Sequence, residues 1–158
     1  TLIKASADSM SISFPTPSHD GKYLLYSCSN HGVFPINSRD ADLWLYDIKT
    51  GERHSLEAAN SSESESYHSW STNSRWIVFC SRRDDGLYSR LFIAHIDEDG
   101  KASKAFILPQ RNPLEYYSRS HYAYNVPEFV LRKVEYSAQE AFQELFYDKR
   151  EGVVPVRR

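Results

Sequence analysis

The sequence has little of what several familiar protein classes require. Its two cysteines, Cys28 and Cys80, are too few for a disulfide scaffold. Each ends a stretch that reads as a strand, and the pattern allows either inert packing or a bridge between neighbouring sheets. No apolar run approaches the roughly 20 residues of a membrane-spanning helix. The chain has no basic excess. Its 19 Lys and Arg stand against 21 Asp and Glu, and a formal net charge of −2 argues against the clustered basic face that nucleic acid needs. The only methionine is Met10, and no positively charged, apolar leader follows Thr1. The chain therefore reads as a mature polypeptide or a fragment of a longer one.

Chemical motifs are equally sparse. There is no G-x-S-x-G elbow, no Gly-rich phosphate loop and no C-x-x-C-H for covalent haem. Six histidines offer ligands on paper, but none stands in H-E-x-x-H or beside paired cysteines. His68 and His121 adjoin aromatics and read as structural or surface residues. Asp97-Glu98-Asp99-Gly100 reads as a hairpin turn, because the later ligands of a calcium loop do not follow. Asp20-Gly21 are adjacent and lead into Lys-Tyr, which is not the spacing of a sialidase-type Asp box. The expectation is a chain without cofactor, metal or catalytic constellation.

What the sequence does have is aromatic content and internal repetition. Its 11 Tyr, 8 Phe and 3 Trp favour pleated, half-buried surfaces. "SHDGKYLLYS" (18–27) lies over "STNSRWIVFC" (71–80), and each is a polar turn, a basic residue and an apolar strand. "LWLYDIKTGE" echoes "LFIAHIDEDGK", slightly out of register, as an altered loop length would produce. Each copy divides into four short strands, at 9–15, 22–28, 42–48 and 52–57, then at 66–70, 75–80, 88–96 and 104–108. Asp20-Gly21, Thr50-Gly51, Asn73-Ser74 and Asp99-Gly100 supply turn chemistry between them, since Gly accepts positive φ and Asp or Asn caps the backbone. Four short strands repeated about every fifty residues is the rhythm of a β-propeller blade.

The fold expected is mainly β. It has two tandem four-stranded antiparallel blades over 9–57 and 66–108, forming a partial propeller in residues 1–108. Residues 109–158 form an aromatic-rich tail. "EAANSSESES" between the blades reads as a solvated loop. After Pro109 no clean period is visible, and Tyr116, Tyr117, Tyr122, Tyr124 and Phe129 are expected to lie across an existing surface. Ser137 and Glu140 form a capping box that opens a helix over about 138–149. Its apolar stripe of Ala138, Ala141, Phe142, Leu145 and Phe146 is expected to pack on the rest of the protein or in a partner's groove.

The turn-and-strand units "SHDGKYLLYSC" and "WSTNSRWIVFCS", each followed by "LYDIKTGE" or "HIDEDGK", resemble TolB-type β-propeller repeats. A blade of that family reads Trp-Ser-Pro-Asp-Gly, a basic residue and an apolar strand, then a strand ending in Asp before a Gly turn. Trp70 and Ser71 match the start of that unit, with Thr-Asn-Ser replacing Pro-Asp-Gly. Ser18, Asp20 and Gly21 match in the first copy, where His19 replaces the Pro and Pro17 the Trp. Asp47, Gly51, Asn73 and Gly100 complete the repeat positions. "HSWSTNSRWIVFCSRRDDGLYSR" with "NVPEFV" is similar to the C-terminal part of cell-envelope propeller proteins of Bacteroidetes-type bacteria. The resemblance implies Trp70 packed between blades, and a protein-binding or scaffolding role in the bacterial envelope, periplasmic or outer-membrane-associated and at most peripheral to the membrane. The alternative is an accessory propeller of a hydrolase, or a glycan- or peptide-binding domain.

Two blades cannot close a ring, so further blades, self-association or the tail must cover the open faces. One constellation stands out as a candidate partner surface: Arg82, Arg83, Asp85, Tyr88 and Arg90. These residues group guanidinium groups, a carboxylate and a Tyr on one loop and strand start, and Arg and Tyr are the types that anchor interfaces.

Overall fold

The computed structural model describes residues 2–30, 32, 34–133 and 135–147. Eight strands form two four-stranded antiparallel sheets in meander order. The first holds β1 (Ser11–Pro17), β2 (Tyr23–Ser29), β3 (Asp42–Asp47) and β4 (Arg53–Ser55). The second holds β5 (Glu65–Trp70), β6 (Trp76–Ser81), β7 (Arg90–His95) and β8 (Phe106–Ile107). All eight expected strands are present. The last strand of each sheet is shorter than expected, three residues and two residues.

The turns show why the repeat is written as it is. Ser18 Oγ donates to Asp20 Oδ1 at 2.7 Å, and that oxygen also accepts from the Lys22 amide at 3.1 Å. Tyr23 N closes the turn onto Ser18 Oγ at 3.0 Å. The second copy repeats the circuit: Ser71 Oγ to Asn73 Oδ1 at 2.7 Å, Arg75 N to Asn73 Oδ1 at 3.1 Å, Trp76 N to Ser71 Oγ at 3.0 Å. Asn therefore does the work of Asp, and Ser74 at φ 57° takes the left-handed place of Gly21 at φ 72°. The two turns are also joined, because Asp20 N donates to Ser74 Oγ at 2.9 Å. After β3, Asp47 Oδ1 accepts from the amides of Lys49 and Thr50 at 2.8 and 2.9 Å, as the resemblance implies for the Asp before a Gly turn.

Both first strands carry a bulge at the same place. The pairing skips from Ser13 to Thr16 in β1 and from Ser66 to Ser69 in β5. Phe14 (φ 54°) and Tyr67 (φ 49°) are the left-handed residues of the two bulges. Pro15 sits in the gap, where no ladder hydrogen bond is asked of it.

The main core lies between the sheets. Tyr23, Leu25, Leu43 and Leu45 of the first meet Ile77, Phe79, Phe92 and Ala94 of the second, with Trp70 among them. Trp70 is 4% exposed and its Nε1 donates to Thr16 O at 3.2 Å, so it fastens one sheet to the other. The outer face of the first sheet buries Tyr26, Cys28 and Tyr46 against Ile3 and Met10, which flank the short helix α1 (Ala5–Asp8). Corresponding residues of the two copies therefore face opposite ways across the core. Leu25 is buried against the second sheet, and its counterpart Val78 lies on that sheet's far side.

The tail departs from expectation in two ways. Helix α2 (Pro113–Arg119) was not anticipated. Asn112 caps it by accepting from Glu115 N, and Pro113 stands at its start, so its signal is the cap and not a period. The expected helix is α3 (Ala138–Tyr147), with the capping box formed: Ser137 N to Glu140 Oε2 at 2.7 Å and Glu140 N to Ser137 Oγ at 3.2 Å. Residues 148 and 149 lie outside the described residues. The described side chains of the stripe, Ala138, Ala141, Phe142 and Phe146, are exposed and do not pack on the sheets. Phe142 and Phe146 stack on each other at 4.6 Å and are 51% and 64% exposed. Tyr124 and Asn125 already occupy the second sheet's outer face beside Cys80.

Candidate functional site

The loop from Arg82 to Arg90 gathers the five candidate residues, but two of them face inward. The Arg83 guanidinium donates to Glu65 Oε1 at 2.9 Å and to Ala59 O at 2.5 Å. It lies 4.6 Å from the Phe92 ring centroid and 5.4 Å from that of Phe79. Arg90 is 1% exposed and donates to the carbonyls of Ser120 at 2.9 Å, Tyr122 at 3.0 Å and Tyr117 at 3.3 Å. It also faces the Tyr88 and Tyr117 rings at 5.1 and 5.6 Å. Arg83 and Arg90 thus act as internal anchors: apart from Arg90 Nε, which has no partner among the described residues, their donors serve acceptors of this chain. Tyr88 is half-buried, with its ring 5.9 Å from His121.

Arg82 and Asp85 remain at the surface of a cleft of about 360 Å³ between the sheets, shared with Asn37, Arg39, Glu63 and Gly86. Arg82 donates to Asn37 Oδ1 at 2.8 Å, and Arg39 pairs with Glu63. Burial pushes the Asp85 carboxyl up, but the Tyr88 and Leu87 amides and Arg90 outweigh it and hold the group below its ordinary value. A second concavity, of about 470 Å³, runs along α2 between Arg111, Tyr116, Arg119 and Tyr122.

The sequence reading missed Glu65. It lies in "EAANSSESES", expected to be solvated, yet Ser64, Glu65 and Ser66 are all buried. The Glu65 carboxylate is 0% exposed and accepts from Ser61 Oγ at 2.6 Å, Ser81 Oγ at 2.8 Å, Ser61 N at 3.1 Å and Arg83. A strand start hidden in a polar run carries no periodic signal. Only the fixed distance to the turn of the repeat marks it.

Two neighbours titrate abnormally. Asp42 is half-buried, and burial, the Glu65 charge and Asp40 push it up to about 6. His68 is buried between the sheets. Its Nε2 meets Phe14 O at 2.8 Å and Leu25 O at 3.2 Å, so that nitrogen carries the proton, and Nδ1 faces Ser27 Oγ at 3.5 Å. Burial pushes its pKa down to about 4. The residue is structural, as its aromatic surroundings suggested.

Cys28 and Cys80 form no disulfide and are buried on different faces, which removes the disulfide reading. Among the described residues no cluster of three His, Cys, Asp or Glu is placed to hold a metal, and no helix is long and apolar enough to cross a membrane. One contrast between the copies lies on the second sheet's outer face. There Trp76 is 37% exposed while its counterpart Tyr23 is 7% exposed. Trp76 packs edge-on against His95 at 4.9 Å and Phe106 at 6.5 Å, and Phe106 is 44% exposed.

Two four-stranded meanders stacked face to face, the inner face of one on the opposite face of the next, define a pair of β-propeller-type blades, not closed into a ring. The chain is similar to the "putative TolB from Agrobacterium tumefaciens", at 21% identity over 63% of this chain and 30% of that one, with a TM-score of 0.46. It is also similar to the β-propeller domain of the Trilobed protease from Pyrococcus furiosus, at 16% identity over the same shares and a TM-score of 0.43. The chain thus spans about 30% of the length of these structures. No family model and no curated protein matches it.

Proposed function

We propose that the chain is a non-catalytic propeller module that works by protein–protein contact, docking its partner on the outer face of the second sheet. The observation that carries this is the exposed Trp76–His95–Phe106 cluster. The corresponding face of the first sheet is sealed by a neighbouring sheet, so the same surface type already serves as an interface once in this molecule. Aromatic groups that combine apolar area with directional edges are what protein interfaces use as anchors. Arg82 and Asp85 at the inter-sheet cleft supply a polar rim. The TolB-type turns support a scaffolding role in the bacterial envelope, periplasmic or outer-membrane-associated.

A photo-crosslinking residue placed at Trp76, at Phe106 or at the remote turn residue Lys49 tests this in cells that make the protein. Defined protein adducts are expected from the first two positions and none from Lys49. Equal labelling at all three, or none at Trp76 and Phe106, overturns the reading.

A further inference from the structure

We infer that Tyr124–Phe129 is the first strand of a third repeat unit, and that the outer face of the second sheet docks a unit of the same kind lacking its own first strand. This rests on reading that face as a docking surface, and adds what docks there and how.

The hydrogen bonds between the sheets recur at the tail. Glu65, in the first strand of the second copy, donates its amide to Ala41 O at 2.7 Å and accepts from Ser27 Oγ at 3.4 Å. Ser89 and Cys80 hold the places of Ala41 and Ser27 one copy later. Tyr124 donates its amide to Ser89 O at 2.9 Å and accepts from Cys80 Sγ at 3.5 Å. Tyr124 therefore stands to the second sheet as Glu65 stands to the first.

The residues that follow keep step. Pro127 falls where the first copy has Pro15 and the second has His68. Pro15 lies in a bulge that needs no ladder bond, and Pro127 is buried as His68 is. Phe129 falls on the place of Trp70. Trp70 is 4% exposed under a complete sheet, while Phe129 is 37% exposed. Arg90 and Ser89 fix the approach to this segment through the carbonyls of Tyr117, Ser120, Tyr122 and Tyr124.

Among the described residues nothing after Phe129 forms a second strand of this unit. Among the described residues no strand pairs with Tyr124–Phe129, and Val126 and Val130 are 60% and 67% exposed. An edge of this kind recruits an antiparallel strand, and the aromatic face beside it accepts the apolar side of that strand's sheet. A docked unit with its own first strand would compete with Tyr124–Phe129 for one position. The fit is therefore to strands two to four of a repeat unit.

The probe is this protein from residue 18 onward, which keeps both sheets and their shared core but lacks β1, added to the isotope-labelled full chain. An unlabelled full chain, with β1 retained, serves as the control. In the free chain the Tyr124 amide is expected to exchange slowly and those of Asn125 and Glu128 fast, Glu128 standing at the ladder places of Thr16 and Ser69. Adding the shortened chain is expected to slow Asn125 and Glu128 by at least about tenfold, while the full-length control binds about tenfold more weakly. Asn125→Pro, at the ladder position, should abolish the protection, and Asn125→Ala, which keeps the amide, should leave it. Slow exchange of Asn125 and Glu128 in the free monomer, no protection by the shortened chain, or equal binding of the shortened and full-length chains overturns the proposal. Adducts at Trp76 without protection at Asn125 would keep the docking face and discard the strand.

Discussion

Glu65 and Arg83 form a buried charge pair whose loss the chain has no means to absorb. Glu65→Ala leaves the Arg83 guanidinium, only 18% exposed, without its carboxylate, and strands the Ser61 and Ser81 hydroxyls. A loss of about 3 kcal/mol is expected in urea unfolding, with Arg83→Met in the same background restoring part of it. The pH response comes from two residues of opposite sign. His68 has a depressed pKa near 4, so its neutral form is favoured in the fold. Its contribution is present above its ordinary 6.5 and is lost as pH falls toward 4, roughly 3 kcal/mol in all. Asp42 has a raised pKa near 6, so its contribution is present below its ordinary value and is lost as pH rises through 6. Asp42→Asn is expected to raise stability at pH 7 by roughly 1 kcal/mol, the half-exposed position being screened by solvent. Unfolding curves at pH 4, 5.5 and 7 check both signs. A profile of Asp42→Asn parallel to that of the parent chain would remove Asp42 as the source.

Turns and strands were the most legible elements, because their chemistry is local. Ser18, Asp20 and Gly21, and their counterparts Ser71, Asn73 and Ser74, signal a turn by residue type, and the apolar runs behind them are strands. Glu65 and Arg90 were not legible as anchors. A buried charge looks like a surface charge until its partners, distant in sequence, are placed around it. Helix α2 was hidden for a related reason: seven residues are too few to show a period. Gly100 shows how much a turn depends on packing as well as φ. At φ 78° a Cβ there would meet Leu45 Cδ2 at 3.0 Å and Tyr23 Cε1 at 3.1 Å, whereas Gly21 at φ 72° has open space. Gly21→Ala is expected to cost about 1 kcal/mol from backbone strain alone, and Gly100→Ala about twice that, since the second sheet's turn presses on the first sheet's core. Equal losses would mean that the Leu45–Tyr23 contact gives way freely. Arg90→Met should free the tail and leave the sheets: rapid cleavage by a protease between residues 109 and 130 is expected, with β-sheet content unchanged. Resistance equal to that of the parent chain would show that Ser89 and Cys80 hold the segment unaided.

On the scale of the whole molecule, the two sheets share one core and should fold as one. Trp70, Phe79 and Phe92 of the second sheet are packed with Leu25, Leu43 and Leu45 of the first, and neither set has another apolar surface to turn to on that side. The polar seam reinforces this. His68, Trp70 and Glu65 each bond the first sheet, and the two corresponding turns are tied through Asp20 and Ser74. A unit without its neighbour would expose a full apolar face and leave His68 without the carbonyl of Leu25. Unfolding followed by fluorescence of Trp44, in the first sheet, and of Trp70, in the second, should therefore give one midpoint. Leu45→Ala, at a position 0% exposed, should shift both signals together by about 3 kcal/mol, although it alters only the first sheet. Two separated transitions would show that each blade holds its own stability, and that the core between them binds two independent units. A shared midpoint carries the opposite consequence. Stability then passes between units through their faces, and the second sheet's open outer face is the place where the next unit would add to it.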